Sequence, residues 1–273
     1  MKIIYIANLR TLYAVALVAL IGIVGFIGCS NSQELQSQNT IKVKVGSEGA
    51  YKPYSYVDKE GKVTGYDVEV LRILEKIDPT LSFEFNYAPW SALFLGLDSA
   101  RFDVLANQIV KTPEREERYL FNNQSYFVST SQFITRADEE SINSMEDFKG
   151  KIAGCVVGSA HTKILEEWNK TNGNVLEIRY YKDLSPLLQD LVNKRIDVHL
   201  NDPTSIVDII KEQNLKLKIL DGRVKESNVY FIFRNEEGSR KIIEKIDAAL
   251  EKAKETGELR DLSIEFFGIN QSQ

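Results

Sequence analysis

Residues 100–118 read A-R-F-D-V-L-A-N-Q-I-V-K-T-P-E-R-E-E-R and decide how the chain is interpreted. Residues 101–106 predict a short buried strand, because an apolar run of this length bounded by polar residues is typical of one. Asn107 and Gln108 place two amide side chains at its C-terminal end, and the Thr-Pro pair at 112–113 predicts the start of a helix. Ligands of open α/β sheets bind at such strand ends.

Arg115 follows in the predicted helix, and two interpretations of its charge fit the sequence. In the first, its planar guanidinium lies near the strand end and binds a ligand carboxylate, for which its fork of donors is suited. In the second, it is a solvated charge among its neighbours Glu114, Glu116, Glu117 and Arg118. Spacing alone favours the second interpretation.

Nearly the same strand recurs later in the chain. Residues 101–107 align without gaps with residues 195–201, R-F-D-V-L-A-N with R-I-D-V-H-L-N. An apolar helical pattern precedes each copy, and a polar residue, Gln108 or Asp202, follows each final Asn. Two helix–strand units predict two similarly built α/β halves, with a cleft between facing strand ends.

The composition is typical of a globular protein. The 273 residues are 43% hydrophobic and 27% charged, and the net charge of −5 gives no support for nucleic-acid binding. Cys29 and Cys155 lie in different contexts, and His161 and His199 form no cluster with them. The sequence therefore predicts no disulfide, no metal site and no cofactor.

The N-terminus has the features of a secretory signal. Lys2 and Arg10 precede an uncharged, mostly apolar run that ends at Gly28, and Cys29 follows directly. The stretch resembles a bacterial lipoprotein signal, in which residues 1–28 are removed and Cys29 is lipidated. The alternative is an uncleaved membrane anchor, since about 18 apolar residues can just span a bilayer. Both interpretations place the rest of the chain outside the cytoplasm.

Residues 29–40 are rich in Ser, Gln and Asn and predict a flexible tether, so the globular part begins at Ile41. Tyr51 follows in a loop rich in tyrosine and fits both a core position and a stacking wall for a ligand. Trp90 heads a predicted helix and likewise fits either the core or a pocket. Asp67 is expected to cap a helix with an apolar stripe.

Five short motifs follow one another in a specific order. They are G-S-E-G-A-Y-K-P-Y-S-Y at 46–56, G-Y-D-V-E-V at 65–70, W-S-A-L-F-L-G-L at 90–97, R-F-D-V at 101–104 and T-P-E-R at 112–115. Together they resemble the polar-amino-acid-binding proteins of bacterial ABC importers. The resemblance implies the α/β, two-lobed periplasmic-binding-protein-like fold (type II), with two hinge strands and the ligand in the interlobe cleft. Residues 41–130 and 232–273 would form lobe 1, and residues 131–231 lobe 2.

The resemblance also implies a set of ligand-binding residues. Arg115 would bind the α-carboxylate of the ligand, Asp202 its α-ammonium, and Tyr51 would stack over it. Ser159 and Ala160 would close onto the carboxylate from the second lobe, Ala160 through its backbone. The remaining candidates are Glu48, Trp90, Asn107, Gln108 and His161.

Some of these residues keep a second interpretation. Asp202 precedes Pro203 and therefore also fits a helix cap, and both roles coexist if one oxygen caps and the other faces the cleft. His161 also fits a solvated position in the first turn of a helix. The Asn107–Gln108 pair stands where many relatives carry small hydroxyl residues, and it resembles the branch that takes up cystine and related sulfur amino acids.

The implied function is capture and delivery, not catalysis. A monomer would bind a free amino acid by hinge closure and pass it to a membrane permease, held at the membrane by a lipid on Cys29. The alternatives are an enzyme on the same scaffold, such as an amino-acid dehydratase, and a ligand-sensing domain. Against the enzyme, the sequence offers no nucleophile–base–orienter set and no metal cluster.

We expect a Cys29→Ser protein to appear in the soluble fraction of cells, because lipid attachment needs the thiol. Fractionation of membranes and supernatant, followed by immunoblotting, measures the partition. A neighbouring Ser30→Ala protein serves as the control and should stay with the membranes. If the Cys29→Ser protein still partitions fully with membranes, the lipid anchor is the wrong explanation.

Overall fold

A computed structural model of the protein describes residues 40–272. The predictions for the signal at 1–28, for Cys29 and for the tether up to residue 39 lie outside the described residues. Within residues 40–272, no helix has both the length and the apolar character needed to cross a membrane.

Twelve strands and eight helices alternate along the described part of the chain. The strands are β1 (Ile41–Ser47), β2 (Ala50–Tyr51), β3 (Ser55–Val57), β4 (Val63–Thr64), β5 (Leu81–Tyr87), β6 (Val104–Val110), β7 (Tyr119–Phe121), β8 (Phe127–Arg136), β9 (Lys151–Val156), β10 (Leu176–Tyr181), β11 (Val198–Asn201) and β12 (Leu217–Arg234). The helices are α1 (Tyr66–Ile77), α2 (Trp90–Asp98), α3 (Pro113–Arg118), α4 (Ala160–Thr171), α5 (Leu184–Val192), α6 (Pro203–Gln213), α7 (Glu237–Thr256) and α8 (Glu258–Phe267).

One mixed sheet runs through both halves of the described chain, in the order β10-β9-β11-β8-β12-β6-β1-β5, with β7 also paired to β12. Strand β1 pairs in parallel with β5 and β6, and β9 pairs in parallel with β10 and β11. The long strands β8 and β12 pair antiparallel to each other between these parallel groups. We call the half with β1, β5 and β6 lobe 1 and the half with β9, β10 and β11 lobe 2.

Each lobe buries its own apolar side chains. Helices α1, α2, α7 and α8 pack on lobe 1, with the small sheet β2–β4 beside α1, and α4, α5 and α6 pack on lobe 2. The apolar stripe predicted for α1 is Val70, Leu71, Leu74 and Ile77. The first three are buried in the lobe 1 core, and Ile77 is partly buried against it. Cys155 is buried in the lobe 2 core. The α/β class and the two connecting strands are thus confirmed, whereas the exact residue bounds of the lobes stay a prediction.

The two copies of the repeat take equivalent places in the sheet. Strand β6 follows α2 and pairs with the connecting strand β12, while β11 follows α5 and pairs with the connecting strand β8. The first strand spans Val104–Val110, later than predicted at both ends, so Asn107 and Gln108 lie within it and not after it. Asp103, just before this strand, accepts the backbone N–H of Lys44 with its carboxylate (2.8 Å).

Two predictions about local structure were wrong in detail. The sequence predicts one strand at 215–220 and a separate extended crossing between the lobes at 229–233. Both are parts of the single strand β12, whose register against β8 shifts after Ile219. Asp67 does not cap α1. Gly65 holds the N-cap position, and the Asp67 carboxylate instead bonds to Gln108.

Candidate ligand-binding site

A cavity lies between the lobes, at the C-terminal ends of β1, β6, β9 and β11. It encloses about 690 Å³ of empty space, including open solvent at its mouth. Its walls bring together nine of the ten predicted ligand-binding residues, which are Glu48, Tyr51, Trp90, Asn107, Gln108, Arg115, Ser159, Ala160 and His161. Val110, Val156, Thr162, Leu184, His199, Leu200 and Asn201 complete the lining. Polar and charged side chains line it beside aromatic and apolar ones, and a concave site of this kind is typical of small-molecule binding.

Arg115 is the buried cation of the cavity. Thr112 caps α3 by accepting the backbone N–H of Arg115, so the predicted Thr-Pro helix start sets where this side chain emerges. The Arg115 residue is 7% exposed, and its guanidinium donates to the carbonyl oxygens of Val110 (2.7 Å) and Gly158 (2.9 Å). Burial lowers the pKa of Arg115 to about 10, which still leaves it charged at neutral pH. The solvated interpretation of this charge is therefore wrong.

Trp90 and Phe94 frame this guanidinium, whose carbon lies 5.7 Å and 5.1 Å from their ring centroids. Such placement is favourable for a cation that is removed from water. Within residues 40–272, no carboxylate is hydrogen-bonded to Arg115. Carbonyl dipoles and aromatic rings contact its guanidinium, and the carboxylate of Glu114 acts on its charge without a bond.

Several bonds join the lobes directly across the cleft. The Trp90 indole N–H donates to the carbonyl oxygen of Val157 (3.0 Å), and Arg115 reaches the next carbonyl, that of Gly158. The remaining links are the ion pair Lys163–Glu114 (3.1 Å), the ion pair Lys52–Glu212 and the hydroxyl pair Tyr54–Thr204. The lobes are therefore closed onto each other in this structure.

Glu48 and Asn107 form a paired acidic corner of the cavity. The Asn107 amide donates to Glu48 Oε2 (2.9 Å) and accepts the Glu48 backbone N–H (2.8 Å). Burial raises the pKa of Glu48, and the bond from Asn107 partly offsets this. Asn107 therefore uses both ends of its amide to hold Glu48 and serves as a support for it.

Gln108 is held in the same way by Asp67. The backbone N–H and side-chain Nε2 of Gln108 donate to the two oxygens of Asp67, at 2.9 Å and 2.6 Å. Asp67 is fully buried, and burial raises its pKa to about 7, against the lowering effect of these two bonds.

Two histidines form a polar wall in lobe 2. The ring of His161 bonds through Nδ1 to Ser131 Oγ (2.9 Å), and its pKa is lowered by burial. His199 donates from Nδ1 to the Gly154 carbonyl (2.9 Å) and accepts the Asn201 amide at Nε2 (3.1 Å), which requires a neutral ring. Burial lowers the pKa of His199 to about 4. His161 is thus a half-buried wall residue that is bonded to Ser131, and its alternative interpretation as a solvated residue is wrong.

Asp202 stands behind the cavity, outside its lining. Its Oδ1 accepts the backbone N–H (2.9 Å) and hydroxyl (2.6 Å) of Thr204, so it caps α6 as the Asp-Pro pair predicts. Its Oδ2 accepts the Ser129 hydroxyl (2.6 Å) and the Thr130 N–H (3.0 Å) of strand β8. A carboxylate offers about four acceptor positions, and four donors occupy them. The charge still reaches the cavity, because Asp202 acts to raise the pKa of both Tyr51 and His161.

Tyr51 combines both of its predicted roles, since it packs against the lobe 1 core and also lines the cavity.

Ser159 caps α4 by accepting the backbone N–H of His161 (3.2 Å), and Ala160 begins that helix. Nothing in the local sequence indicates that His199 lines the cavity. For Asn201 a signal was present, since the repeat aligns it with Asn107.

Within the described residues, no group of histidine, cysteine, aspartate and glutamate side chains could hold a metal ion.

Comparisons with known proteins identify the family of the chain. The sequence model of the bacterial extracellular solute-binding proteins, family 3, matches residues 43–269. Over 231 residues the chain is 34% identical to the L-cystine-binding protein TcyA of Bacillus subtilis, covering 84% of this chain and 82% of that one. Over 239 residues it is 33% identical to a probable amino-acid ABC transporter-binding protein of Haemophilus influenzae, covering 86% and 88%.

Solved structures lead to the same class. A putative L-cystine ABC transporter protein of Listeria monocytogenes superposes with a TM-score of 0.74 at 29% identity, covering 85% of this chain and 98% of that chain. The fold and the interlobe cavity define a two-lobed solute-binding protein of type II. The chain belongs to family 3 of the bacterial extracellular solute-binding proteins.

We expect the pKa of His161 to respond to both charges near it. An Arg115→Met change should raise this pKa, because the guanidinium lowers it, and an Asp202→Asn change should lower it further, because the carboxylate raises it. NMR titration of the two histidine rings measures both shifts, with Arg118→Met on the exposed side of α3 as the control. If His161 titrates identically in all three variants, the proposed charge arrangement around the cavity is incorrect.

Proposed function

We propose that this protein is the extracytoplasmic binding component of an amino-acid ABC importer, with a free α-amino acid as its ligand. One observation carries the proposal. Arg115 is a buried guanidinium in the wall of the interlobe cavity, and no carboxylate from residues 40–272 is bonded to it. A buried charge of this kind is costly unless a partner of opposite sign arrives. The α-carboxylate of the ligand is that partner.

The rest of the cavity suits the other parts of such a ligand. Tyr51 and Trp90 supply aromatic walls, and the start of α4 at Ser159 and Ala160 presents backbone N–H groups toward an anion. The negative charge of Asp202 attracts the α-ammonium from behind the lining. A direct bond to Asp202 would require the hydroxyl of Ser129 or Thr204 to turn away.

The proposed ligand is L-cystine or a related sulfur amino acid. Support comes from the L-cystine-binding relative in Bacillus subtilis and from the Asn107–Gln108 pair in strand β6. Glu48, held by Asn107 in the same cavity, offers a second acidic acceptor for a polar group at the far end of such a ligand.

Binding and closure are linked in this proposal. The Gly158 carbonyl, which belongs to lobe 2, accepts a hydrogen bond from Arg115 in the closed structure. A ligand carboxylate would replace this neutral acceptor with a charged one, and charge-assisted bonds are roughly twice as strong. A ligand that contacts both lobes favours the closed form over the open one, and a membrane permease would recognise that closed form.

We propose further that a lipid on Cys29 anchors the protein at the membrane. The protein would act there as a monomer. The apolar run that ends directly before Cys29 supports the anchor.

We expect one or a few compounds to raise the melting temperature in a thermal-shift panel of the common amino acids plus L-cystine. A ligand at about 100 times its Kd adds roughly 2.7 kcal/mol to the free energy of unfolding. The methyl ester of each active compound is the control and should give a much smaller shift, because it removes the charge that Arg115 would bind. A panel in which no amino acid shifts the melting temperature would contradict the proposal, as would turnover of a binding compound.

A further inference from the structure

The side-chain amide of Gln108 has a hydrogen-bond partner on its nitrogen but, within residues 40–272, none on its oxygen. Its Nε2 donates to Asp67 Oδ1 at 2.6 Å, while its Oε1 is buried and has no hydrogen-bond partner within residues 40–272. Gln108 also lines the cavity. A buried carbonyl oxygen without a donor costs free energy, so this atom is an acceptor waiting for a ligand N–H.

Asp67 decides which end of the amide is open. Ionised carboxylate oxygens only accept hydrogen bonds, so the Nε2 of Gln108 must face Asp67. Its Oε1, bonded to the same carbon, must then point away from Asp67. The second bond, from the Gln108 backbone N–H, holds this residue at a φ of 52°, a left-handed conformation that is uncommon for a side chain of this kind.

Asp202 is the other candidate acceptor for the ligand ammonium, and it already accepts four hydrogen bonds in this structure. All four acceptor positions of Asp202 are taken by Ser129, Thr130 and Thr204, and Asp202 does not line the cavity. Gln108 lies two residues before Val110, whose carbonyl holds the Arg115 guanidinium. The open acceptor and the carbonyl that binds the buried cation therefore belong to the same strand, β6, and both residues line the cavity.

We propose that Gln108 Oε1 accepts the α-ammonium of the ligand, and that Asp67 is the positioning residue that turns this oxygen toward it. Asp67 itself makes no contact with the ligand. This inference rests on the proposed function, because it takes an α-amino acid as the ligand.

An Asp67→Asn change tests the inference directly. The new amide would donate to Gln108 Oε1 and accept the Gln108 N–H, which turns the Gln108 NH2 group toward the ligand ammonium. The probe is L-cystine, or the tightest-binding amino acid of the panel if that is another compound. Calorimetry at pH 8, where Asp67 is mainly ionised, should show binding weakened about 10- to 100-fold. Gln108→Met should cost about as much.

A charge-swapped double variant separates positioning from a merely structural role. In Asp67→Asn/Gln108→Glu, the new carboxylate accepts the Asn amide with one oxygen and offers the other to the ammonium. We expect it to bind within about threefold of the wild type. Unliganded melting curves check that each variant is folded, and the double variant and Gln108→Met still decide the matter if Asp67→Asn does not fold.

The outcomes are distinct. Unchanged binding by Asp67→Asn or Gln108→Met overturns the inference, and so does a double variant that binds no better than Asp67→Asn. A wild-type protein that binds no amino acid at all overturns the proposed function and this inference together. A wild-type protein that binds, with the pattern of losses absent, overturns the inference alone.

Discussion

The buried charge of Arg115 is the constraint on which the arrangement of this cavity depends. An isolated cation removed from water is expensive, and within the described residues the guanidinium of Arg115 is bonded to carbonyl oxygens and packed on aromatic rings, with no carboxylate bonded to it. One of those carbonyls, at Gly158, belongs to the opposite lobe. The same charge that prepares the site for a carboxylate therefore also draws the lobes together.

Three acidic side chains around the cavity are each fixed in place by hydrogen bonds to other residues of the chain. Asp67 fixes Gln108, Glu48 is fixed by Asn107, and Asp202 joins the start of α6 to strand β8. Each carboxylate is thus committed to shaping the wall while its charge still acts on the cavity. This division suits a binding protein, in which the polar groups must be rigid before the ligand arrives.

Local patterns in the sequence predicted the elements that carry the site, and long-range pairing decided the rest. The Thr-Pro helix start placed Arg115, and the repeat aligned Asn107 with Asn201, which lie in the corresponding strands β6 and β11. Asp67 carried the ordinary signal of a helix cap, because nothing local indicates that its carboxylate meets residue 108. The partners of Asp202 on strand β8 were hidden for the same reason, since they join the chain only through tertiary packing.

The most direct measurement of the central claim is calorimetric binding of L-cystine, or of the panel's best amino acid, to an Arg115→Met protein. Arg118→Met is the matched control, because Arg118 lies on the same helix with its side chain 64% exposed and paired with Asp98. We expect Arg115→Met to lose about 100-fold or more in affinity for the amino acid, and the affinity of Arg118→Met to change by less than about threefold. A folded Arg115→Met protein that binds the amino acid as tightly as the wild type would contradict the central claim.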